Sequence, residues 1–228
     1  LMPNIQDHAL SAGGLTLAER PFDALDSLIL TQLVYMPMEG LMDRGERPTV
    51  AQAWAYIREH VDYERLDVFQ KKRYRLFECC ADLKRYRDLA MHDYVNIIDG
   101  AMEMQFCACT WDLSRGECYI AFRGTDLTIA GWKEDLNMSF MTVPSQKEAV
   151  AYTERMARSG AALRLGGHSK GGNLAAYAAA LLPGGDLVMS GFLEPDVGPI
   201  VARAAELGLR HVATQSREGW MLVHVRRE

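Results

Sequence analysis

The sequence predicts an α/β fold in which a mostly parallel sheet is covered by helices and preceded by a helical region. Three observations lead to this class. Apolar residues recur at helical spacing over roughly the first 100 residues, alternate with polar residues after Gly100, and then form short strands that alternate with helices. We therefore predict a helical N-terminal region over residues 1–100 and a sheet-containing core over residues 101–228.

Composition narrows the class of protein. The chain has 228 residues, of which 49% are apolar and 24% charged, as in ordinary soluble globular proteins. A formal net charge of -5 disfavours a nucleic-acid binder that relies on a basic surface. Neither a membrane-spanning apolar run nor a signal peptide is found, so we expect a cytoplasmic protein without an integral membrane segment. The five cysteines lack metal-ligand spacing, and we expect reduced thiols and no metal.

Helical patterns fill the N-terminal region. One predicted helix runs from Pro21 to about Met38, and the next begins at Thr49, where Thr-Val-Ala-Gln is typical of a capping box. Two more are predicted over residues 66–80 and 82–94. Their basic residues are interleaved with tyrosines, which could suggest RNA contact, but acidic residues at helical spacing favour an ion-paired surface. We therefore predict no nucleic-acid partner.

Strand patterns begin after Gly100. Residues 102–108 alternate apolar and polar side chains, and a turn at 112–116 leads to a strand over 117–122, which together predict a hairpin. Helices are predicted at 130–137 and 145–158, followed by a strand at Ala162–Leu165 and an alanine-rich helix to about Leu182. The remaining predicted elements are a strand at 187–192, a helix at 197–207, and strands at 211–214 and 220–225.

A glycine-rich turn carries the strongest functional signal. Residues 167–171, Gly-His-Ser-Lys-Gly, have the spacing Gly-x-Ser-x-Gly between a predicted strand and a predicted helix. In a nucleophile elbow this turn is so sharp that glycine is needed two residues before and two residues after the serine. Ser169 would then stand at the carboxyl end of the sheet, beside a helix N-terminus. A glycine-rich phosphate loop and an ordinary strand-to-helix turn are the alternatives, and His168 is interpreted as a structural neighbour.

A second motif precedes the turn in the chain. The strand at 118–122 ends in Arg-Gly-Thr-Asp (123–126), and Trp132 and Asp135-Leu136 follow. In this order the two motifs resemble those of lipase class 3 type α/β-hydrolases. The chain is closer still to an uncharacterised bacterial branch of that superfamily, over residues 1 to about 182. The segments that carry this resemblance are Asn4–Asp7, Phe22–Leu30, Gly131–Asp135, Val143–Ala149 and Gly166–Ala175.

The resemblance implies an α/β-hydrolase-like fold and a function. The chain would be a serine hydrolase of lipase or esterase type, acting on a small acyl or ester substrate without a cofactor. Ser169 would attack the acyl carbonyl, while Thr125 and the backbone N–H of Lys170 would stabilise the oxyanion. Asp135 would support that loop, and the helical region over 1–100 could cover the site as a lid.

Such a hydrolase also needs an acid and a histidine after the serine. Asp196 and Glu194 follow the next predicted strand and are candidate acids, although the position of Asp196 before residues 197–207 favours a helix-capping role. His224 is the preferred candidate base, and His211 is the other. Without a base, Ser169 would be a weak nucleophile.

The tail over residues 183–228 departs from the hydrolase pattern. Leu-Pro-Gly-Gly (182–185), the strand after it and Arg-Glu-Gly-Trp (217–220) resemble the end of a ribosomal-protein lysine methyltransferase, which suggests a hybrid chain. Two alternatives to an active hydrolase therefore stay open. One is an inactive hydrolase scaffold or nonfunctional hybrid. The other is methyl transfer from S-adenosylmethionine, for which no glycine-rich cofactor loop is found.

Overall fold

The chain divides into two compact units, residues 1–175 and 176–228. A computed structural model describes residues 4–42, 45–102, 104–114, 116–125, 142–182, 186–217 and 219–227. The predicted helix at 130–137 lies outside the described residues.

Several helices of the first unit begin at side chains that cap them. Thr49 Oγ1 accepts from the Gln52 N–H at 3.2 Å, and the Thr49 N–H donates to Gln52 Oε1 at 2.9 Å, so the predicted capping box is confirmed. Asp23 and Asp67 cap two other helices in the same way. The helices that lie wholly in this unit are α1 Ile5–Ala12, α2 Ala24–Leu33, α3 Glu39–Met42, α4 Val50–His60, α5 Val68–Asp82 and α6 Pro144–Ala157, with a short 3₁₀ helix at Tyr63–Arg65.

A four-stranded sheet forms the centre of the first unit, in the order β1-β2-β3-β4. β1 pairs antiparallel with β2, and β2 pairs antiparallel with β3, which confirms the predicted hairpin. β3 and β4 are parallel, with Phe122 opposite Gly167. The strands are β1 Met91–Asp99, β2 Met104–Ser114, β3 Glu117–Phe122 and β4 Ala162–Gly167.

The helix predicted over residues 82–94 is wrong. Helix α5 ends at Asp82, turns follow, and β1 begins at Met91. The Arg85 side chain is buried in this turn, where its Nε donates to Asp26 Oδ1 at 2.7 Å and its Nη1 donates to backbone carbonyls. Tyr86 also donates to Asp26 Oδ1, at 2.6 Å. These long-range bonds outweigh the local helical spacing.

The second unit has its own antiparallel sheet, in the order β5-β7-β6. Its small core contains Ala204, Leu209, Val223 and Val225. Gly219, at a φ of +84°, lies between the last two strands, where a left-handed residue suits the tight connection. The elements are β5 Asp186–Phe192, α8 Glu194–Glu206, β6 Leu209–Arg217 and β7 Trp220–Arg227; helix α7, Lys170–Leu181, begins in the first unit and ends in the second.

An α/β class is confirmed, but the prediction of a mostly parallel sheet is wrong. Among the described strands, β3 and β4 form the single parallel pair. The physical reason lies in the connections. Short turns join β1 to β2, β2 to β3 and β6 to β7, and a short connection reverses the chain, whereas a parallel pair needs a long crossover. Because the predicted helix over residues 82–94 includes the start of β1, the sequence does not predict the first of these reversals.

Two lysines of the basic runs are ion-paired. Lys71 pairs with Glu64 at 3.6 Å, and Lys84 pairs with Glu19 at 3.2 Å. Such pairs offset the basic runs locally, as the interleaved acidic residues indicate. Among the described residues, no helix is both long enough and apolar enough to cross a membrane.

Candidate active site

The turn between β4 and α7 has the geometry of a tight elbow. Ser169 is exposed and has a φ of +58°, in the left-handed region. A residue other than glycine persists there when the surrounding structure holds it in place. Two hydrogen bonds do so: the Gly171 N–H donates to the His168 carbonyl at 3.1 Å, and the Gly172 N–H donates to the Ser169 carbonyl at 2.9 Å. The strand-turn-helix arrangement that the sequence predicts around Ser169 is therefore present.

Two glycines let the backbone segments approach closely. A methyl group on Gly167 would overlap the backbone of Gly171, two residues beyond Ser169. A methyl group on Gly171 would overlap the Phe122 carbonyl at the end of β3. Glycine is therefore required on both sides of the serine, which is the steric requirement of an elbow. The same contacts seat the turn directly against the end of β3.

The loop after β3 runs beside the elbow. A methyl group on Gly124 would lie 3.2 Å from Ser169 Cβ and would also crowd the His168 carbonyl. Thr125, the next residue, is half-buried, and the described part of this loop ends with it. The structure thus brings the predicted residue Ser169 to the loop that carries Thr125. Asp126, Trp132 and Asp135 lie outside the described residues.

Lys170 starts helix α7 with its side chain buried. Its Nζ donates to the Gln105 carbonyl of β2 at 2.7 Å, which anchors the first turn of the helix to the sheet. The Lys170 N–H belongs to the first turn of α7, at the positive end of the helix dipole. The predicted role of Lys170 uses this backbone group, and the side-chain anchor was not predicted.

Tyr35 joins the site from the N-terminal helical region. Its hydroxyl oxygen accepts a hydrogen bond from the Gly124 N–H at 2.9 Å and lies 3.5 Å from His168 Nδ1. Burial raises the pKa of the Tyr35 phenol, so the hydroxyl stays protonated at neutral pH. Tyr35 therefore contacts both the loop after β3 and the elbow. Tyr35 is not predicted from the sequence, because the contact joins residues 89 positions apart.

A guanidinium group covers Tyr35. The Arg73 Cζ lies 3.6 Å from the centroid of the Tyr35 ring, and Arg73 Nε donates to Gln32 Oε1 at 3.1 Å. Partial burial, together with the charge of Arg73, lowers the pKa of His168. His168 is consequently neutral at pH 7, beside the serine. Arg73 was also missed, since its role in the basic run of α5 was interpreted as surface charge.

Asp196 and His224 belong to the second unit, where each forms a hydrogen bond within that unit. Asp196 Oδ2 accepts the Leu193 N–H at 3.0 Å. Helix α8 begins at Glu194, so Asp196 lies in its first turn and not before it, where the helix-capping alternative places it. His224 Nε2 lies 2.6 Å from Asp186 Oδ1. Arg226 also binds Asp186, at 2.8 Å through Nε, and its hydrogen bond lowers the pKa of Asp186. The carboxylate that contacts His224 is therefore Asp186, which is not predicted from the sequence.

The other two residues considered for the triad make different contacts. His211 Nε2 lies 2.9 Å from Thr214 Oγ1, within β6. Glu194 is the first residue of helix α8 and is exposed. Asp186 lies opposite Arg226, two residues from the position opposite His224, and this neighbourhood depends on the antiparallel register of β5 and β7.

Two side-chain groups in the described residues have donor atoms close enough to bind a metal. In each group, three potential ligand atoms lie within 4.8 Å of one another; the groups are His92, Asp112 and Cys118, and His8, Asp23 and Asp26. Protein cations already bind the carboxylates, with Arg47 on Asp112 and Arg85 on Asp26. Burial and Asp112 raise the pKa of the Cys118 thiol to about 11. The thiol is therefore protonated at neutral pH, and these contacts account for both groups.

Comparison with known proteins supports a hydrolase-like central segment. A protein-family model described as Mbeg1-like, a lipase class 3-like family, matches residues 80–185, a segment that includes the elbow and less than half of the chain. No curated protein and no solved structure matches the chain.

The family match corrects the resemblance inferred from the sequence. The lipase-like resemblance is supported over residues 80–185 rather than 1–182, and the match is to the Mbeg1-like family. The resemblance of residues 183–228 to a methyltransferase is wrong, because no comparison supports it. Its motifs consisted of short runs of turn and strand residues, which many unrelated sheets share.

Proposed function

We propose that this protein is a serine hydrolase of lipase or esterase type that acts on an ester or acyl substrate, with Ser169 as the nucleophile. One observation carries the proposal: an exposed serine is held at positive φ between a strand and a helix, against the loop that follows β3. The match of residues 80–185 to a lipase-like family supports the same class.

The proposed reaction proceeds through an acyl-enzyme. The Ser169 oxygen adds to the carbonyl carbon while its proton passes to a base, and the carbonyl oxygen becomes an oxyanion. Thr125 and the Lys170 N–H stabilise that charge, aided by the dipole of helix α7. The alkoxide leaves with the proton held by the base. Water then repeats the two steps at the acyl carbonyl, releasing the acid and restoring Ser169.

The helical region over residues 1–100 is proposed to shape the entrance to this site. Tyr35 and Arg73, which both come from this region, contact each other beside the elbow. This position supports the proposal that the region limits which acyl groups reach Ser169. The proposal needs no cofactor and no metal ion.

His224 is the proposed base, and Asp196 is the proposed acid, with Asp186 as a competing acid because it contacts His224. His224→Asn is expected to lower kcat for a short-chain 4-nitrophenyl ester by about 10²- to 10⁴-fold. Asp186→Asn and Asp196→Asn, measured in parallel, identify which carboxylate acts with the histidine. His211→Asn tests the other candidate base and should leave kcat unchanged if His224 is the base. Equal rates for the His224 variant and the unaltered protein would exclude His224 as the base.

Labelling with a fluorophosphonate tests whether Ser169 is an activated nucleophile. These reagents modify serines that a base and an oxyanion site activate, and not ordinary serines. We expect stoichiometric modification, mapped by mass spectrometry of the digested protein to Ser169 alone. Exposed Ser11 provides an internal comparison and should remain unmodified. If the folded protein is not labelled at Ser169, the inactive scaffold is the better description.

A further inference from the structure

The Arg73 guanidinium lies in the proposed active site with an unusual set of neighbours. It is half-buried and stacks on the Tyr35 ring, and Nε alone is directed to Gln32 Oε1. In the part of the chain that the structure describes, no ion pair of Arg73 is found. Asp67, the carboxylate that acts on it electrostatically, caps helix α5 and accepts the Phe69 and Gln70 N–H groups.

This guanidinium is partly desolvated and has a second cation near it. Burial is the main cause that lowers the pKa of Arg73; Arg123 adds to this effect and Asp67 opposes it, and Arg73 in turn acts on His168 next to the serine. A partly desolvated cation beside a second cation is costly unless an anion compensates it. An anionic group that binds here would remove part of this cost. The edge of the Arg73 guanidinium that does not face Gln32 can offer the parallel N–H donors that match carboxylate or phosphate oxygens.

We propose that the substrate of the hydrolase carries an anionic oxygen group, a carboxylate or a phosphate, which Arg73 binds while the ester carbonyl reaches Ser169. This inference rests on the proposed function and names its substrate class. Tyr35 has a positioning role in it. The Tyr35 ring supports the guanidinium, and its hydroxyl holds Gly124 beside the elbow. The substrate charge would thus be bound by the same element that holds the loop after β3.

Binding to the full-length Ser169→Ala protein tests the inference without requiring turnover. The probes are monomethyl succinate for a carboxylate, methyl phosphate for a phosphate and methyl butyrate as the neutral comparison, each measured by ligand-observed NMR titration. At least one anionic probe should bind more tightly than methyl butyrate. Adding Arg73→Gln should weaken that binding by about 10- to 100-fold, as expected for loss of a charge-assisted hydrogen bond.

Arg75 provides the matched control. It lies on the same helix, is exposed, and its Nε donates to the Tyr63 hydroxyl at 3.0 Å, so Arg75→Gln removes the same charge from a different side of the helix. It should leave the affinity for the anionic probe within about twofold. Arg73→Lys, which keeps the charge but not the planar fork, should retain part of the affinity and also serves if Arg73→Gln does not fold.

The outcomes separate the inference from the proposed function. No binding of either anionic probe, equal binding of methyl butyrate, or equal losses in the Arg73 and Arg75 variants would overturn the inference. Binding that depends on Arg73, in a protein that hydrolyses no ester, would support the anion site and reject the hydrolase. Hydrolysis of neutral and anionic 4-nitrophenyl esters at equal kcat/KM would support the hydrolase and reject the anion site.

Discussion

Replacing Ser169 with alanine is expected to reduce the hydrolysis of a short-chain 4-nitrophenyl ester by about 10⁴- to 10⁶-fold, as loss of the nucleophile does in serine hydrolases that use a triad. Removing the hydroxyl leaves the oxyanion groups in place but removes the atom that attacks the carbonyl. Initial rates should be measured over a range of protein concentrations for each variant. A specific activity that is the same in every variant would come from a trace contaminating esterase.

Ser169→Gly distinguishes an elbow serine from an ordinary surface serine. Because Ser169 has a φ of +58°, glycine should relieve backbone strain there and stabilise the protein by about 1 kcal/mol relative to alanine. Activity should be lost equally in both variants. Urea denaturation provides the stability comparison. Retention of ester hydrolysis in either variant would show that Ser169 is not the nucleophile.

Arg85→Met is expected to destabilise the first unit by about 3–5 kcal/mol, because it leaves the Asp26 carboxylate buried without its cation. Both side chains of this pair are fully buried. Arg85 also donates to the Leu15, Thr16, Arg20 and Pro21 carbonyls, which would lose a partner together. The measurement is the free energy of unfolding in urea, followed by tryptophan fluorescence.

The same pair predicts a dependence of stability on pH. Although burial opposes ionisation, hydrogen bonds from Arg85 and Tyr86 lower the pKa of Asp26 below its ordinary value of 3.8. A lowered folded-state pKa contributes stability above pH about 4, and this contribution is lost as pH falls through the folded-state pKa. Asp26→Asn should remove this acid-dependent loss from the unfolding curve.

Arg87→Met is the control for the buried pair. Arg87 pairs with Asp88 at 3.6 Å on the exposed surface, and its removal should cost no more than about 0.5 kcal/mol. A double Asp26→Asn, Arg85→Met variant should recover part of the lost stability, because no unpaired charge then remains buried. Equal destabilisation by Arg85→Met and Arg87→Met would contradict this account.

Much of the fold could be predicted because its signals are local. The capping box at Thr49 lies within four consecutive residues, and the glycines around Ser169 lie within five. The hairpin of β2 and β3 has a turn signal between two alternating runs. The helix at 82–94 failed for the opposite reason: its residues face partners far away in the chain, and Arg85 is bonded to a residue 59 positions earlier.

The sequence by itself determined the elements whose geometry depends on near neighbours, above all a strand, a sharp glycine-flanked turn with Ser169, and a helix. Steric requirements between residues that are close in the chain can be inferred directly from their order. The tertiary structure alone decided the antiparallel direction of most strands, the arrival of Tyr35 and Arg73 beside Ser169, and the pairing of His224 with Asp186. These contacts depend on which distant segments become neighbours, and that outcome follows from packing the whole chain, not from any short pattern.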